Sequence, residues 1–231
     1  MHTICLTIIK RGEETTITNT HKAYDYIYKE ILSNRLLPGD PVSEADLASK
    51  LGLSRTPVRE ALKILDTEGL VKIIPNRGTF VTEISVQDVE EIFSLRELFE
   101  LHALKTSYKF IPDDTLNMLE ERIKSVVKSD ELEKHYEVDE LFHSTIINHC
   151  GNSRLINFRN MINSQIMMMR KISSQDPNHF DISRTEHLEM IEALKARDLA
   201  TAEELLSRHI TSIKKRIIEV LLYKPYSMKR I

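Results

Sequence analysis

Asp139 and His143 stand four residues apart in the stretch YEVDELFHSTIINHC, among Leu, Phe and Ile. Four residues is just over one helical turn, so both polar side chains fall on the stripe that also carries Leu132, Tyr136, Phe142 and Ile146. A carboxylate on the face a helix buries needs a compensating partner. At this spacing a carboxylate oxygen and an imidazole nitrogen can share one cation. Two more histidines sit on apolar stripes: His187 in RTEHLEMIEAL aligns with Met190, Ile191 and Leu194, and His209 in AEELLSRHITSIKK aligns with Leu205, Leu206 and Ile213. One acid and three imidazoles from three helices would make an N3O set. Such a set suits zinc, nickel or another borderline divalent ion and leaves one or two positions for water or an anion. A single core histidine is more often a hydrogen-bonded packing residue, and the pattern alone leaves both readings open.

The elements that must position these groups are helices. From Ser85 onward the chain has few Gly or Pro breaks, and its apolar periodicity predicts helices near 85–109, 112–128, 131–149, 152–172, 181–196 and 198–222. That is a six-helix bundle with no convincing strand. The Met run at 167–169 reads as pliable core. Asn152 reads as the cap of the helix after Gly151, and Cys150 as a buried thiol near a helix end. His102, His135, His149 and His179 read as ordinary polar positions.

The first part of the chain is punctuated differently. In SEADLASKLGLSRTPVREALKILDTEGLV, Ser43 caps a helix with Asp46 at its third position, Leu47 and Ala48 face inward, and Gly52 breaks the helix for a tight turn. Ser54 is then the expected cap of a second helix. Pro57 lies in its first turn, where a missing N–H costs little, and Val58, Ala61, Leu62 and Leu65 form its buried stripe. Two helices joined by a short Gly-containing turn make a helix-turn-helix, whose second helix enters the major groove by its N-terminal end. Arg55, Thr56 and Arg59 are exposed there; an Arg can fork onto a guanine edge while Thr56 and the helix N-terminus hold phosphate. EGLVKIIPNRGTFV then gives two short strands around Asn76-Arg77-Gly78, a hairpin with a basic tip resembling the wing of a winged helix.

The totals are less informative. The chain has 231 residues, 41% of them hydrophobic, and a net charge of −3, so any nucleic-acid contact must come from a local patch. Nine Lys/Arg balance nine Asp/Glu in residues 19–84, and the excess of acid lies beyond Ser85. The two cysteines, Cys5 and Cys150, match no metal or disulfide spacing, which fits a reducing cytosol. The short apolar run at the N-terminus precedes the charges, the reverse of a signal peptide, and no apolar stretch approaches the roughly 18 to 20 residues that span a bilayer. A cytoplasmic protein without a membrane partner is expected. The boundary between halves falls near Glu83–Val86, where SVQD offers a Ser cap. The expected organisation is a flexible leader (1–18), a winged helix-turn-helix with a small β-hairpin wing (19–84), an all-α domain (85–224) and a tail (225–231): a mainly α protein.

LLPGDPVSEADLASKLGLSRTPVREALKILDTEGLV followed by PNRGTFV resembles the winged-helix domain of GntR-type transcription regulators nearly residue for residue. That resemblance implies a homodimer on a two-fold, double-stranded operator, with Arg35, Arg55, Thr56, Arg59 and Gly78 at DNA. Arg77 is added here from its charge. The pattern D-x-x-x-H followed by GN, then EH and a last-helix His, resembles the FCD ligand-binding domain of the FadR-type branch; six helices rather than seven look like its VanR-type subdivision. The resemblance implies a metal on Asp139, His143, His187 and His209 and a small organic acid as effector. Arg96 matches a first-helix Arg that points toward the pocket and could pair an effector carboxylate; the alternative is an i, i+4 salt bridge with Glu100 on a solvated face. The functional expectation is a regulator, in the commoner case a repressor, controlled by such an acid. The rivals are a regulator that senses the ion itself and a metalloenzyme whose ion activates water; no nucleophile motif or phosphate-cradling loop accompanies the set.

Overall fold

The computed structural model describes residues 18–126, 132–173 and 179–223. The expected leader, except Thr18, and the expected tail lie outside the described residues. Nine helices and three short strands follow in chain order among them: α1 (Asn19–Leu32), β1 (Pro41–Val42), α2 (Glu44–Leu51), α3 (Arg55–Thr67), β2 (Val71–Ile74), β3 (Gly78–Val81), α4 (Val86–Ser107), α5 (Asp113–Ser125), α6 (Leu132–Asn148), α7 (Ser153–Ser173), α8 (His179–Lys195) and α9 (Leu199–Tyr223).

Packing separates the chain into two units. One runs through Ile84 and includes Asn160–Met168 from the middle of α7; the other comprises Ser85–Arg159 and the residues from Met169 onward. In the first, α1 packs on α3, and Ala23, Ile27, Val58, Ala61, Leu62 and Leu65 close its core. The α2–α3 turn works as the sequence predicts at Gly52, which has φ 65° and ends α2 in the left-handed conformation. Ser43 Oγ accepts the Asp46 N–H at 3.2 Å.

Ser54 is the N-cap residue of α3, as expected, but makes no side-chain cap hydrogen bond. An N-cap oxygen takes its proton from the second or third helical N–H, and the third residue here is Pro57, which has none. β2 and β3 form the expected antiparallel hairpin, with Val71 opposite Val81 and Ile74 opposite Gly78. The two-residue strand β1 pairs with the other edge of β3. It is too short for alternation to announce it.

In the second unit Ser85 and Asp88 make a reciprocal capping box: the Ser85 hydroxyl accepts the Asp88 N–H at 3.1 Å, and the Asp88 carboxylate accepts the Ser85 N–H at 2.8 Å. Helix α4 packs on α6 and α9, α5 on α6 and α8, and α8 on α9. Phe93, Leu104, Leu116, Leu119, Phe142 and Leu206 are fully buried. Arg159, itself buried, forks onto Glu140 at 2.7 and 3.0 Å and so ties α7 to α6.

One buried acid belongs to the first unit. Glu68 Oε2 accepts from Tyr24 Oη at 2.7 Å and from Ser164 Oγ at 3.0 Å. Burial and this acid together push the Tyr24 phenol upward, so it stays a donor. Tyr24→Phe is expected to destabilise the protein by about 1 to 3 kcal/mol, the typical effect of leaving a buried acceptor without its donor. Urea unfolding with unchanged slope reads this; a change within a few tenths would show that Glu68 finds another donor.

Candidate functional site

The bundle brings the four sequence-predicted ligands together. Asp139 and His143 come from α6, His187 from α8 and His209 from α9, all four buried, and one ligand atom from each lies within 4.8 Å of every other. His143 Nε2 is 3.5 Å from Asp139 Oδ2, and His187 Nε2 is 3.7 Å from Asp139 Oδ1. Three of the inward atoms, His187 Nε2, His209 Nε2 and Asp139 Oδ2, have no hydrogen-bond partner. Buried lone pairs left unsatisfied are rare and demand an explanation. A cation supplies one, since four-coordinate ligands with bonds of about 2.0 to 2.2 Å stand roughly 3 to 4 Å apart, a small contraction from the observed spacing. The donor set fits a borderline divalent ion.

Two carboxylates that sequence reasoning missed orient the imidazoles. His143 Nδ1 is 2.7 Å from Glu100 Oε2, and His209 Nδ1 is 2.6 Å from Glu186 Oε2. An N–H on each Nδ1, given to the acid, leaves the Nε2 lone pair pointing at the centre; such acid–imidazole pairs fix the tautomer and raise ligand basicity. Glu100 also accepts from Arg96 Nε at 2.9 Å, with both residues fully buried. The salt bridge weighed for Arg96 is therefore present, but inside the domain rather than on a solvated face. A signal for this existed: Val89, Phe93, Arg96, Glu100, Ala103 and Ser107 form the buried stripe of α4. Glu186 carried no such signal, because it lies beside His187 and its partner, His209, is on the following helix.

Charge is balanced locally. Burial would raise the Asp139 pKa, but the Arg170 guanidinium, which pairs with Oδ1, outweighs it and holds the acid well below the usual range. Glu100 is likewise lowered against burial, by Arg96 and His143. Burial pushes His187 and His209 well below the ordinary imidazole range, with Asp139 only partly offsetting it. Both are neutral, the form that binds metal. A cavity of about 20 Å³ adjoins the cluster, lined by Tyr136, Asp139, Arg170, Ser183, Arg184 and His187. His135 also lines it and packs its ring, tilted, against Phe180 with centroids 4.6 Å apart, so it is more than the ordinary polar position expected. Asn152 Oδ1 accepts the Leu155 N–H at 3.1 Å, as a cap.

The residues singled out for DNA are all exposed. Arg55 and Thr56 open α3, and Arg77 and Gly78 form the end of the β2–β3 hairpin. A Cβ on Gly78 would meet nothing, so the need for glycine there comes from its φ of 109°. Two arginines are engaged within the chain: Arg59 forks onto Glu44 at 2.9 to 3.2 Å, and Arg35 pairs with Glu30 at 2.7 Å. Exposed pairs of this kind contribute little and exchange readily for phosphate.

Residues 91–212 match the FCD domain, and residues 19–81 match the bacterial regulatory proteins of the gntR family. The chain is 25% identical over 190 residues to the uncharacterized HTH-type transcriptional regulator YdhC of Bacillus subtilis strain 168, covering 80% of this chain and 85% of that protein. It is 23% identical over 214 residues to the HTH-type transcriptional repressor RspR of Escherichia coli K12, covering 90% and 94%. A transcriptional regulator GntR from Rhodococcus sp. RHA1 shares the fold with a TM-score of 0.75 at 20% identity, over 86% of this chain and 97% of that one. Fold and relatives together define a DNA-binding transcription regulator rather than an enzyme. The chain belongs to the GntR family, in the FadR-type branch that carries an FCD domain. No helix among the described residues is long and apolar enough to cross a membrane.

The depressed imidazoles predict a pH response. Unfolded histidine takes a proton near pH 6.5; folded His187 and His209 do so only well below that. In the interval the unfolded state binds more protons, so stability rises with pH and is lost as pH falls. Chelator-treated protein is expected to lose up to about 1.4 kcal/mol of unfolding free energy per pH unit for each group below roughly pH 6.5. Asp139 and Glu100 add to the loss below about pH 4.5. Urea titrations across this range check it; a flat profile down to about pH 5 would contradict the assigned neutral state.

Proposed function

We propose that this regulator is a cytoplasmic homodimeric repressor whose affinity for a two-fold operator is controlled by a small carboxylate bound at or beside a divalent ion, zinc or nickel. The observation that carries the proposal is the convergence of Asp139, His143, His187 and His209 on a common point with three ligand-type lone pairs left unsatisfied. We assign residues 19–84 to DNA reading and 85–224 to effector binding and dimerisation, with 1–18 as leader and 225–231 as tail.

Each group has a task in this scheme. Asp139, His143, His187 and His209 hold the ion, while Glu100 and Glu186 keep two of the imidazoles in the tautomer that presents Nε2. The ion, when bound, supplies a Lewis-acidic position that an effector carboxylate can ligate. Arg96, on the same focus, is the candidate carboxylate anchor. At the other end of the protein, Arg55 and Arg59 read base edges, Thr56 and the uncapped α3 N-terminus hold phosphate, and Arg35, Arg77 and Gly78 approach the backbone or the minor groove. Operator half-sites impose a fixed spacing, so an effector that changes the separation or mobility of two winged helices changes affinity.

A second reading is favoured by the shape of the site itself. The adjoining cavity has about the volume of one water, which suits a sensor of the ion alone. The two readings differ in whether zinc or nickel at physiological concentration changes operator affinity without any organic acid.

His187→Ala and His209→Ala are each expected to lower metal stoichiometry and the metal-dependent rise in melting temperature together, because binding free energy is partly folding free energy. Unchanged metal content in both variants would remove the site. Arg55→Ala and Arg59→Ala should each cost about 1 to 3 kcal/mol of specific operator binding with the dimer intact. Gel-shift titrations on the protein's own upstream DNA measure this, and retained specificity in the double variant would put the reading head elsewhere.

A further inference from the structure

An acid sits among the arginines assigned to DNA. Glu44, the first residue of α2, receives the Arg59 guanidinium side-on: Nε lies 3.1 and 3.2 Å from the two carboxylate oxygens, and Nη2 lies 2.9 Å from Oε2. The pair joins the two helices of the helix-turn-helix across 15 residues of sequence. Arg35 differs, since its acid, Glu30, stands only 5 residues before it. The hydrogen bond from Arg59, and after it the charges of Arg59 and Arg55, hold the Glu44 carboxyl below its ordinary range against partial burial. Glu44 is therefore ionised and feels both arginines assigned to base edges.

A guanidinium presents its N–H groups in two forks, one made by Nε and Nη2 and the other by Nη1 and Nη2. Glu44 occupies the first. The second is left, on a side chain that is 57% exposed, and an arginine fork fits O6 and N7 of guanine. A neutral base edge can thus be added while Glu44 stays in place. Phosphate is different. If it takes Arg59 from Glu44, it leaves an ionised carboxylate facing the charge of the DNA backbone; if it joins the free fork, it brings two anions to one cation. As a stabilising contact the exposed pair is worth little, but its charge opposes phosphate more than it opposes a base.

We propose that Glu44 is a positioning residue for sequence reading: it holds Arg59 by the Nε–Nη2 edge, so that the free fork meets a guanine edge in the major groove rather than a phosphate. This rests on the assignment of Arg59 to a base edge and adds what directs it there. The acid lowers affinity for DNA in general and sharpens the choice at one base pair.

The test starts from a randomised duplex pool enriched on the full-length wild-type protein. The selected duplex, its single-base-pair variants and a scrambled duplex are then titrated at fixed salt concentration with wild type, Arg59→Ala, Glu44→Gln and the double variant. Each base preference is a ratio within one protein, so a partly unfolded fraction cancels. Arg59→Ala should flatten the preference at one G·C pair by roughly fivefold or more. Glu44→Gln should weaken the preference at that same pair and bind the scrambled duplex more tightly than wild type does. In the Arg59→Ala background, Glu44→Gln should leave base preference unchanged, because Glu44 acts through the arginine. An equal gain of affinity on selected and scrambled duplexes would make Glu44 a general repulsive charge and overturn the positioning role. An undiminished preference at the Arg59 pair, or a loss of the same size with and without Arg59, overturns it as well, and unchanged affinity for the scrambled duplex overturns the opposition to phosphate. Base preferences that all survive Arg59→Ala, or a wild type that enriches no sequence, overturn the assignment of Arg59 itself and this inference with it.

Discussion

The carboxylate of Asp139 is taken out of water, and much of the second unit's polar interior answers that fact. A buried acid stays ionised only when positive charge or donors surround it. Here Arg170 and, farther off, His187 stand by one oxygen, and His143 stands by the other. His187 and His209 are neutral because they too are buried, and Glu100 and Glu186 steer the rings of His143 and His209. Arg96 then balances Glu100. The result is a nested set of charges in which each group is tolerable only because of its neighbour, with unsatisfied lone pairs left at the focus.

Such a site is suited to switching because it is close to balance. A divalent ion changes the local charge by two in a region of low dielectric, where every nearby pair must readjust. Helix α7 carries Arg170, six residues beyond Ser164, whose hydroxyl donates to Glu68. α7 is also the described element whose residues divide between the two packing units. In the winged helix the core is mainly apolar, and the exposed Arg35 and Arg59 pair with Glu30 and Glu44.

Much of this was legible in the sequence because helices convert spacing into direction. The i, i+4 placement of Asp139 and His143, and the apolar neighbours of His187 and His209, fixed which way the four side chains point. Gly52 and the Asn76-Arg77-Gly78 turn carried equally local information. What was not legible depends on contacts between different helices. Glu186 meets His209 on another helix, and nothing in its own neighbourhood distinguishes it from a surface acid. Arg170 follows three methionines and shares a buried stripe with Ile166 and Met167, a signal that points inward but not toward a partner. At Ser54 the sequence did show that Pro57, three residues later, has no N–H to give, which removes one of the two donors a cap oxygen there can use.

The central claim is that one acid and three imidazoles bind a common ion. X-ray absorption at the metal edge of the protein as purified, or after loading with zinc or nickel, addresses it most directly. The account predicts a first shell of three nitrogens and at least one oxygen at about 2.0 to 2.2 Å with no sulfur, and imidazole outer-shell scattering that diminishes in a His209 variant. A shell of water oxygens alone, or no ion retained after removal of excess metal, would contradict it.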